Sequence, residues 1–278
     1  MCIRDRVGYV TGWLHRAAFP TIGSTFDPSN TGPGESEMGD IIRQPLAIGN
    51  FRAETGEARA HTRIGWWRAV YNIFFGFAIN SFVDELARKA DRDPVDLFRN
   101  MYGNYEGEDQ ERARRALAVL EKAADMGGWG REVPEGHGLG IAVHYSFESY
   151  TAMMFHVEVD GDNIKVHRVD CAVDCGLVLN PDIATAQMEG AVIMGIGLAL
   201  STEVRFKDGA VVNSNFHDYL VPRINATPAE INVAFIGQEN SSTGLGEPGV
   251  PTFAPALINA IYDASGVRHR SLPIRGVA

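Results

Sequence analysis

The spacing of apolar positions changes along the chain from a helical pattern to an alternating one. Within 66–126, apolar side chains recur every three or four positions, which is typical of amphipathic helices. Three helices are predicted there: one from Trp66, one that begins at the cap residue Asp93, and one over 109–126 that ends at a Gly pair. We therefore expect the segment 61–135 to be helical.

In the last segment, 136–278, the pattern alternates with a period of two, as in strands with one buried face. Short turn sequences at 160–163 and 208–209 predict two hairpins. Two apolar stretches, 180–200 and 252–266, are predicted to be helices, and the first should be buried. We expect this segment to be one α+β domain in which mixed or antiparallel sheets pack on buried helices.

The segment 1–60 is weakly patterned. An apolar run at 7–19 is compatible with one strand or a hairpin, whereas 25–40 is rich in Gly, Pro, Ser and Asp and is predicted to be a loop. The chain starts in what resembles the middle of a strand, so we expect further sequence before Met1, and localisation stays unassigned. A short terminal strand is expected at 270–274.

Composition and charge are those of an ordinary globular protein. The chain has 278 residues, of which 45% are hydrophobic and 22% are charged, enough for a sizeable core. Its formal net charge of −10 repels phosphate backbones, so a nucleic-acid partner is not expected. No apolar run reaches the roughly 18 residues of a membrane span, so none is predicted.

Cysteine and histidine positions do not form a recognisable metal motif. Cys171 and Cys175 would lie about 13 Å apart along a strand, and no second Cys pair accompanies them. Buried free thiols are therefore predicted rather than ligands of an iron–sulfur cluster. The eight His show no H-x-x-x-H or H-E-x-x-H spacing, so no zinc site and no protein ligand to a metal is assigned.

One loop holds a single carboxylate in a frame of Gly and Pro. The stretch TGLGEPGVP, residues 243–251, contains Glu247 and satisfies G-x-G-x-x-G. A dinucleotide-binding loop is disfavoured, because no βαβ unit follows and Pro248 and Pro251 lack the N–H donors that phosphate needs. Two interpretations remain: an ordinary exposed turn, or a rigid general base beside a cofactor that supplies the difficult chemistry.

Four longer stretches carry a more specific signal than this loop. They are GWWRAVYN with the following FAINSFVDELARKADRDPVDLFR, VDCGLVLNPDIATAQMEGAVIMGIGLAL, NSNFHDYLVPR, and GLGEPGVPTFAPALINAIYDASGVRHRSLPI. Together they resemble the large subunit of the molybdenum hydroxylases, the family of xanthine dehydrogenase and aldehyde oxidase, in particular its isoquinoline 1-oxidoreductase β-subunit type. The similarity extends over roughly residues 50–278.

The resemblance implies a molybdopterin-binding fold and an oxidoreductase. The expected cofactor is molybdopterin with molybdenum, in its cytosine dinucleotide form, and the expected partner is a small subunit with 2Fe–2S clusters. The catalytic acid of the family stands in a G-E-P motif, which here contains Glu247. It would accept a proton while oxygen from water is added to an electron-poor carbon of an N-heteroaromatic compound or an aldehyde.

The resemblance also implies roles for five further residues. Gln187, Gly190, Gly244 and Gly246 would contribute to cofactor binding, and Arg68 would bind the substrate. Simpler explanations stay open, namely a helical Gln bonded to backbone, glycines that permit helix packing, and a surface arginine beside two tryptophans.

Two Gly-rich segments typical of the family, G-G-G-F-G and M-G-Q-G, are absent from the sequence. We therefore expect the chain to be the C-terminal part of a subunit, which holds the catalytic base and part of the cofactor pocket. The rest of that subunit is then a further partner. The alternative is a non-catalytic binding or scaffold module that has the same fold and no cofactor.

Overall fold

The computed structural model describes residues 2–4, 9–60 and 62–274, so the expected extension before Met1 lies outside the described residues. Within them the chain forms nine β-strands and six α-helices. The strands are β1 (Cys2–Arg4), β2 (Val10–Ala18), β3 (Asn50–Gly56), β4 (His137–Ser146), β5 (Ser149–Asp160), β6 (Asn163–Asp174), β7 (Phe206–Lys207), β8 (Ala210–Val211) and β9 (Glu230–Phe235). The helices are α1 (Glu35–Ile42), α2 (Asn72–Lys89), α3 (Pro94–Gly103), α4 (Gln110–Gly127), α5 (Pro181–Leu200) and α6 (Val250–Ser265).

A four-stranded sheet in the order β4-β5-β6-β9 organises the second half of the chain. Its first three strands are antiparallel and β9 is parallel to β6. Alternate side chains of β4 enter two different cores: Ile141 and Val143 pack with α2, α3 and α4, whereas Ala142 packs with α5 and α6. The predicted α+β class with mixed sheets packed on helices is therefore confirmed.

Helix α6 lies directly on β4 because β4 carries glycine where the two backbones meet. A Cβ atom at Gly140 would overlap the carbonyl oxygen of Ala256 and the amide nitrogen of Ala260, and Gly138 is similarly placed. Glycine is thus required for close approach at these two positions. This contact holds the part of α6 from Ala256 to Ala264 against the sheet, and the same helix begins directly after the loop that carries Glu247.

The first 60 residues contain more structure than their pattern predicts. A second sheet has the order β1-β2-β3, and β2 is one strand rather than a hairpin. The loop prediction for 25–40 is wrong in part, because α1 begins at Glu35. The Glu37 side chain accepts a hydrogen bond from the Gly34 amide and so caps this helix, and Met38 is buried in the core.

The predicted helices of the central segment are confirmed with one change of boundary. Asp93 accepts a hydrogen bond from the Val95 amide at 2.7 Å and caps α3, and α4 ends at Gly128 in the left-handed conformation. Helix α2 begins at Asn72 rather than at Trp66, because Ala69 and Val70 have φ angles of 74° and 48°. The expected three-part division of the chain stays a prediction.

Helix α5 is buried on one side only, which corrects the expectation that it lies fully inside the protein. Ala191 and Val192 face α6, but less than half of its most apolar window is buried, and Gln187 and Gly190 are exposed. By length and composition alone it is the one described helix that could cross a membrane. Its packing on α6 is equally typical of a core helix of a globular protein.

Two further expectations concern the ends of β6 and of the chain. Cys171 and Cys175 are free and buried, as predicted, and burial raises the pKa of both thiols. The strand expected at 270–274 is not formed in the described part of the chain. Instead, the Ile274 amide donates a 2.8 Å hydrogen bond to the carbonyl of Ala199 at the end of α5.

Candidate active site

Hydrogen bonds join the loop between β9 and α6 to the start of β5 and to the residue that follows β6. The Thr243 amide donates to the Cys175 carbonyl at 2.9 Å, and the Ser149 hydroxyl contacts both the Thr243 hydroxyl and the Gly244 carbonyl. Farther along, the Val250 amide donates to the Glu247 carbonyl at 3.1 Å and starts α6. The backbone that carries Glu247 is therefore held at both ends.

The Glu247 side chain is fixed through one of its two oxygens. Oε2 accepts a 2.7 Å hydrogen bond from the backbone amide of Ala69. Among the described residues, Oε1 has no hydrogen-bond donor. The carboxylate is thus oriented by backbone on one side, while its second oxygen can exchange a proton with a ligand.

The amide that meets Glu247 belongs to a strained piece of backbone. Ala69 and Val70 both have positive φ, which is uncommon for Ala and a genuine outlier for the β-branched Val. Such conformations cost roughly 1–3 kcal/mol each and persist where the surroundings enforce them, often at functional sites. Here the strained turn directs the Ala69 N–H toward the Glu247 carboxylate.

Arg68 joins the loop to α5. Its Nε donates to the Gly246 carbonyl at 2.6 Å, and its Nη2 donates to the Gln187 carbonyl and side-chain Oε1 at 2.9 and 3.3 Å. Partial burial lowers the pKa of the guanidinium, and the negative charge of Glu247 opposes this effect. Arg68 is therefore a clamp between two segments that carry predicted site residues.

The surface beside this clamp is open at two glycines and carries polar groups that a cofactor could contact. A Cβ at Gly246 would meet no atom within 4 Å, and one at Gly190 would meet only Arg68, at 3.8 Å. The amide side chain of Gln187 is exposed on the same edge of α5 and offers both donors and acceptors. These residues fit a group such as a pterin, which needs close backbone approach and amide hydrogen bonds.

The structure thus brings five of the six predicted site residues together, namely Glu247, Arg68, Gln187, Gly190 and Gly246. Gly244 lies nearby but faces the turn between β4 and β5. A Cβ there would be 3.1 Å from the Phe147 carbonyl oxygen. Glycine at this position therefore allows the loop to pack closely on this turn.

Sequence reasoning missed Ala69, Val70 and Ser149. Neither Ala nor Val signals a left-handed backbone, since glycine is the residue expected there. The Ser149 hydroxyl acts on a loop that is 94 positions away in sequence, at Thr243. No local pattern predicts such a contact.

Comparisons with known proteins identify the family of the chain. Residues 113–228 match the family described as Molybdopterin cofactor-binding domain. The isoquinoline 1-oxidoreductase beta subunit of Brevundimonas diminuta is 32% identical over 268 residues, which are 95% of this chain and 32% of that protein. The membrane-bound aldehyde dehydrogenase (pyrroloquinoline-quinone) of Gluconacetobacter polyoxogenes is 30% identical over 226 residues, which are 77% of this chain and 29% of that protein.

The fold has a solved counterpart as well. The structure of quinoline 2-oxidoreductase from Pseudomonas putida 86 superimposes with a TM-score of 0.78 at 13% identity, covering 97% of this chain and 59% of that one. The chain spans about a third of the length of the two curated relatives. By sequence, by matched domain and by fold, the chain belongs to the large-subunit family of the molybdenum hydroxylases.

Proposed function

We propose that this chain contributes the general base, Glu247, and part of the molybdopterin-binding surface to an oxidoreductase. The enzyme would hydroxylate an electron-poor carbon of an N-heteroaromatic compound or an aldehyde with oxygen from water. The observation that carries the proposal is the position of the Glu247 carboxylate, held by the Ala69 amide at the edge of an open, glycine-lined surface. The names of the relatives, an isoquinoline oxidoreductase and an aldehyde dehydrogenase, support both substrate classes.

The asymmetric environment of Glu247 supports its proposed role in proton transfer. A general base must stay within hydrogen-bond reach of the proton that it takes, about 2.6–3.2 Å between heavy atoms. The bond from Ala69 anchors Oε2 and restricts the motion of the carboxylate, which leaves Oε1 as the oxygen available to a ligand. Misplacement by about 1 Å can cost about 10²-fold in rate, which explains the need for such rigid support.

Gln187, Gly190 and Gly246 would form the cofactor-binding edge. The Gln187 amide can donate to and accept from a pterin ring, and the two glycines permit close approach of the ring to backbone. When bound, molybdopterin, which we expect in its cytosine dinucleotide form, supplies the two-electron redox chemistry. Gly244 would act indirectly, because the absence of a side chain lets the loop pack closely against Phe147.

Two roles for Arg68 are compatible with its contacts, namely substrate binding and positioning of other site residues. As a substrate-binding residue it would present its guanidinium to the ligand, and its Nη1 does lie near the open surface beside Gly190. Its Nε and Nη2 donors are already bonded to Gly246 and Gln187. We therefore propose that Arg68 chiefly positions Glu247 and Gln187 relative to each other.

Further components are needed for turnover. Two relatives are named as parts of larger enzymes, an isoquinoline 1-oxidoreductase beta subunit and a nicotine 6-hydroxylase large subunit, which supports a multi-subunit enzyme. We propose a small subunit with 2Fe–2S clusters as electron acceptor, and the remaining part of the molybdopterin-binding subunit as the other half of the pocket.

Replacement of Glu247 by Gln in the assembled enzyme tests the proposal, with turnover and molybdenum content measured on the same preparation. A loss of turnover with full molybdenum content supports the catalytic role. The alternative of a non-catalytic scaffold predicts that no molybdenum copurifies with the wild-type assembly.

A further inference from the structure

Four ionisable side chains converge at the end of the central sheet that is remote from Glu247. His137 begins β4, Glu158 lies near the end of β5, His167 lies in β6, and His156 stands beside them. Nine positions of β5 separate Glu158 from Ser149, which contacts the Glu247 loop. At about 3.3 Å per residue this is roughly 30 Å, so the cluster is not part of the candidate active site.

The donor atoms of the cluster are close to one another. One ligand atom each of His137, Glu158 and His167 lies within 4.8 Å of the other two. The His167 Nε2 atom is 2.8 Å from Glu158 Oε2, and the His137 Nδ1 atom is 3.0 Å from His156 Nε2. The three imidazole rings have centroids 5.1–5.2 Å apart.

The strand register explains why side chains from three strands converge at one point. His137 stands directly opposite Glu158 in the pairing of β4 with β5. In the pairing of β5 with β6 the register shifts after His156, so that His167 has no direct partner and occupies a β-bulge. Bulges re-aim side chains, and here the bulge brings His167 to the Glu158 carboxylate.

We propose that His137, Glu158 and His167 bind one divalent transition-metal ion of the Zn²⁺ type. Imidazole nitrogen and carboxylate oxygen are typical zinc ligands, and a tetrahedral site with Zn–N distances of 2.0–2.1 Å places its donors about 3.3 Å apart. The observed pair at 2.8 Å and the outer limit of 4.8 Å bracket this spacing. Small side-chain rotations therefore suffice to close the site.

His156 is the positioning residue of this site. Its Nε2 contact with His137 Nδ1 fixes the tautomer and ring plane of His137, as hydrogen-bonded partners of metal-bound histidines do. Arg131 and Arg168 place positive charge near the rings, and Asp170 and Glu230 balance the charge of Arg168. The bound ion would fasten β4, β5 and β6 together and keep at least one coordination position open to solvent.

Zinc titration of the 278-residue chain, without a polyhistidine tag, tests this site by calorimetry at pH 7.5. Wild-type protein is expected to bind one Zn²⁺ per chain, and Glu158→Gln or His167→Gln should weaken binding at least about tenfold. His156→Gln should weaken it by about 10–100-fold while leaving the stoichiometry at one. Both Glu158 and His167 are partly exposed, so these changes are compatible with folding, which circular dichroism checks.

His217→Gln is the matched control, because His217 is an exposed histidine beside a carboxylate, Asp218, and is not part of a metal-ligating cluster of the described residues. It should bind Zn²⁺ as wild type does. Cobalt(II) gives a second readout, since the ligand-field absorption of the bound ion should be weaker in Glu158→Gln than in wild type at the same cobalt concentration. Absence of zinc binding by wild type, or equal binding by Glu158→Gln and His217→Gln, would show that the cluster is only a histidine–glutamate ion pair.

Discussion

The Glu247 carboxylate accepts a 2.7 Å hydrogen bond from the amide of Ala69, which lies 178 positions earlier in the chain. The donor is backbone, so it cannot rotate away as a side chain could. Two consecutive positive φ angles, at Ala69 and Val70, hold it in place. The candidate site therefore contains a carboxylate with one oxygen held by backbone and one oxygen that has no donor within the described part of the chain.

Replacement of Arg68 by Lys should separate a positioning role from a substrate-binding role. Lysine keeps the charge but cannot hold the Gly246 carbonyl and Gln187 together with one planar fork. If Arg68 positions the loop, kcat of the assembled enzyme should fall by about 10-fold or more, with KM nearly unchanged.

Arg63→Lys is the control for this change, because Arg63 is an exposed arginine of the same segment. It should leave both constants at their wild-type values. A rise in KM at constant kcat for Arg68→Lys would instead assign the guanidinium to substrate binding.

Replacement of Gly140 by Ala should destabilise the chain strongly. The added methyl group would overlap the backbone of α6 at Ala256 and Ala260, which cannot move without displacing the whole helix. Overpacking of this kind costs about 1–3 kcal/mol, and contact with backbone places the expected loss in the free energy of unfolding at the upper end.

Gly103→Ala provides the comparison, measured in the same urea titration. Gly103 lies in the last turn of α3 and a Cβ there would meet no atom within 4 Å. Alanine should be neutral or slightly stabilising at this position, because it has the higher helix propensity. Equal stability of the two variants would contradict the packing of β4 on α6.

Acid should destabilise the fold through His144. Asn72 donates to Asp40 at 2.8 Å, so its Oδ1 accepts from His144 Nε2, and burial lowers the pKa of His144 to about 3. The unfolded state has the ordinary value of about 6.5 and therefore binds the proton first. Stability is full above pH 6.5 and is lost as pH falls from there toward 3, by about 2 kcal/mol at pH 5.

Urea unfolding at pH 7 and pH 5 measures this effect. His144→Gln can still donate to Asn72 but does not titrate, so its loss of stability between the two pH values should be smaller than that of wild type. His217→Gln, which removes an exposed histidine, should retain the wild-type difference. An unchanged pH dependence in His144→Gln would contradict a buried neutral imidazole.

The sequence predicted most elements of the fold because their signals are local. The cap at Asp93, the Gly pair after α4 and the alternation in β5 and β6 each depend on neighbours within a few positions. Helix α1 was missed because its segment is rich in Gly and Ser, and its stability comes from the Glu37 cap and from burial of Met38 and Ile41.

The candidate site was predictable only in part, for a similar reason. The Gly and Pro frame around Glu247 is visible in the sequence, whereas its hydrogen-bond partner is an amide in a segment with no unusual residue. The histidine cluster was invisible to motif spacing, because its members come from three strands and meet only through a β-bulge. Contacts between distant segments depend on register and packing, which short sequence patterns do not encode.

Glu247→Gln in the assembled enzyme decides whether Glu247 moves the proton in catalysis. Glutamine keeps the size of the side chain and an oxygen that can accept from Ala69, but it cannot take up a proton. Turnover should fall at least about 10²-fold, while molybdenum content and thermal stability stay at wild-type levels. Glu247→Asp should fail similarly, because the shorter side chain withdraws the base by about 1 Å. Wild-type turnover by a Glu247→Gln enzyme that contains its full complement of molybdenum would contradict the account and leave this loop as an ordinary surface turn.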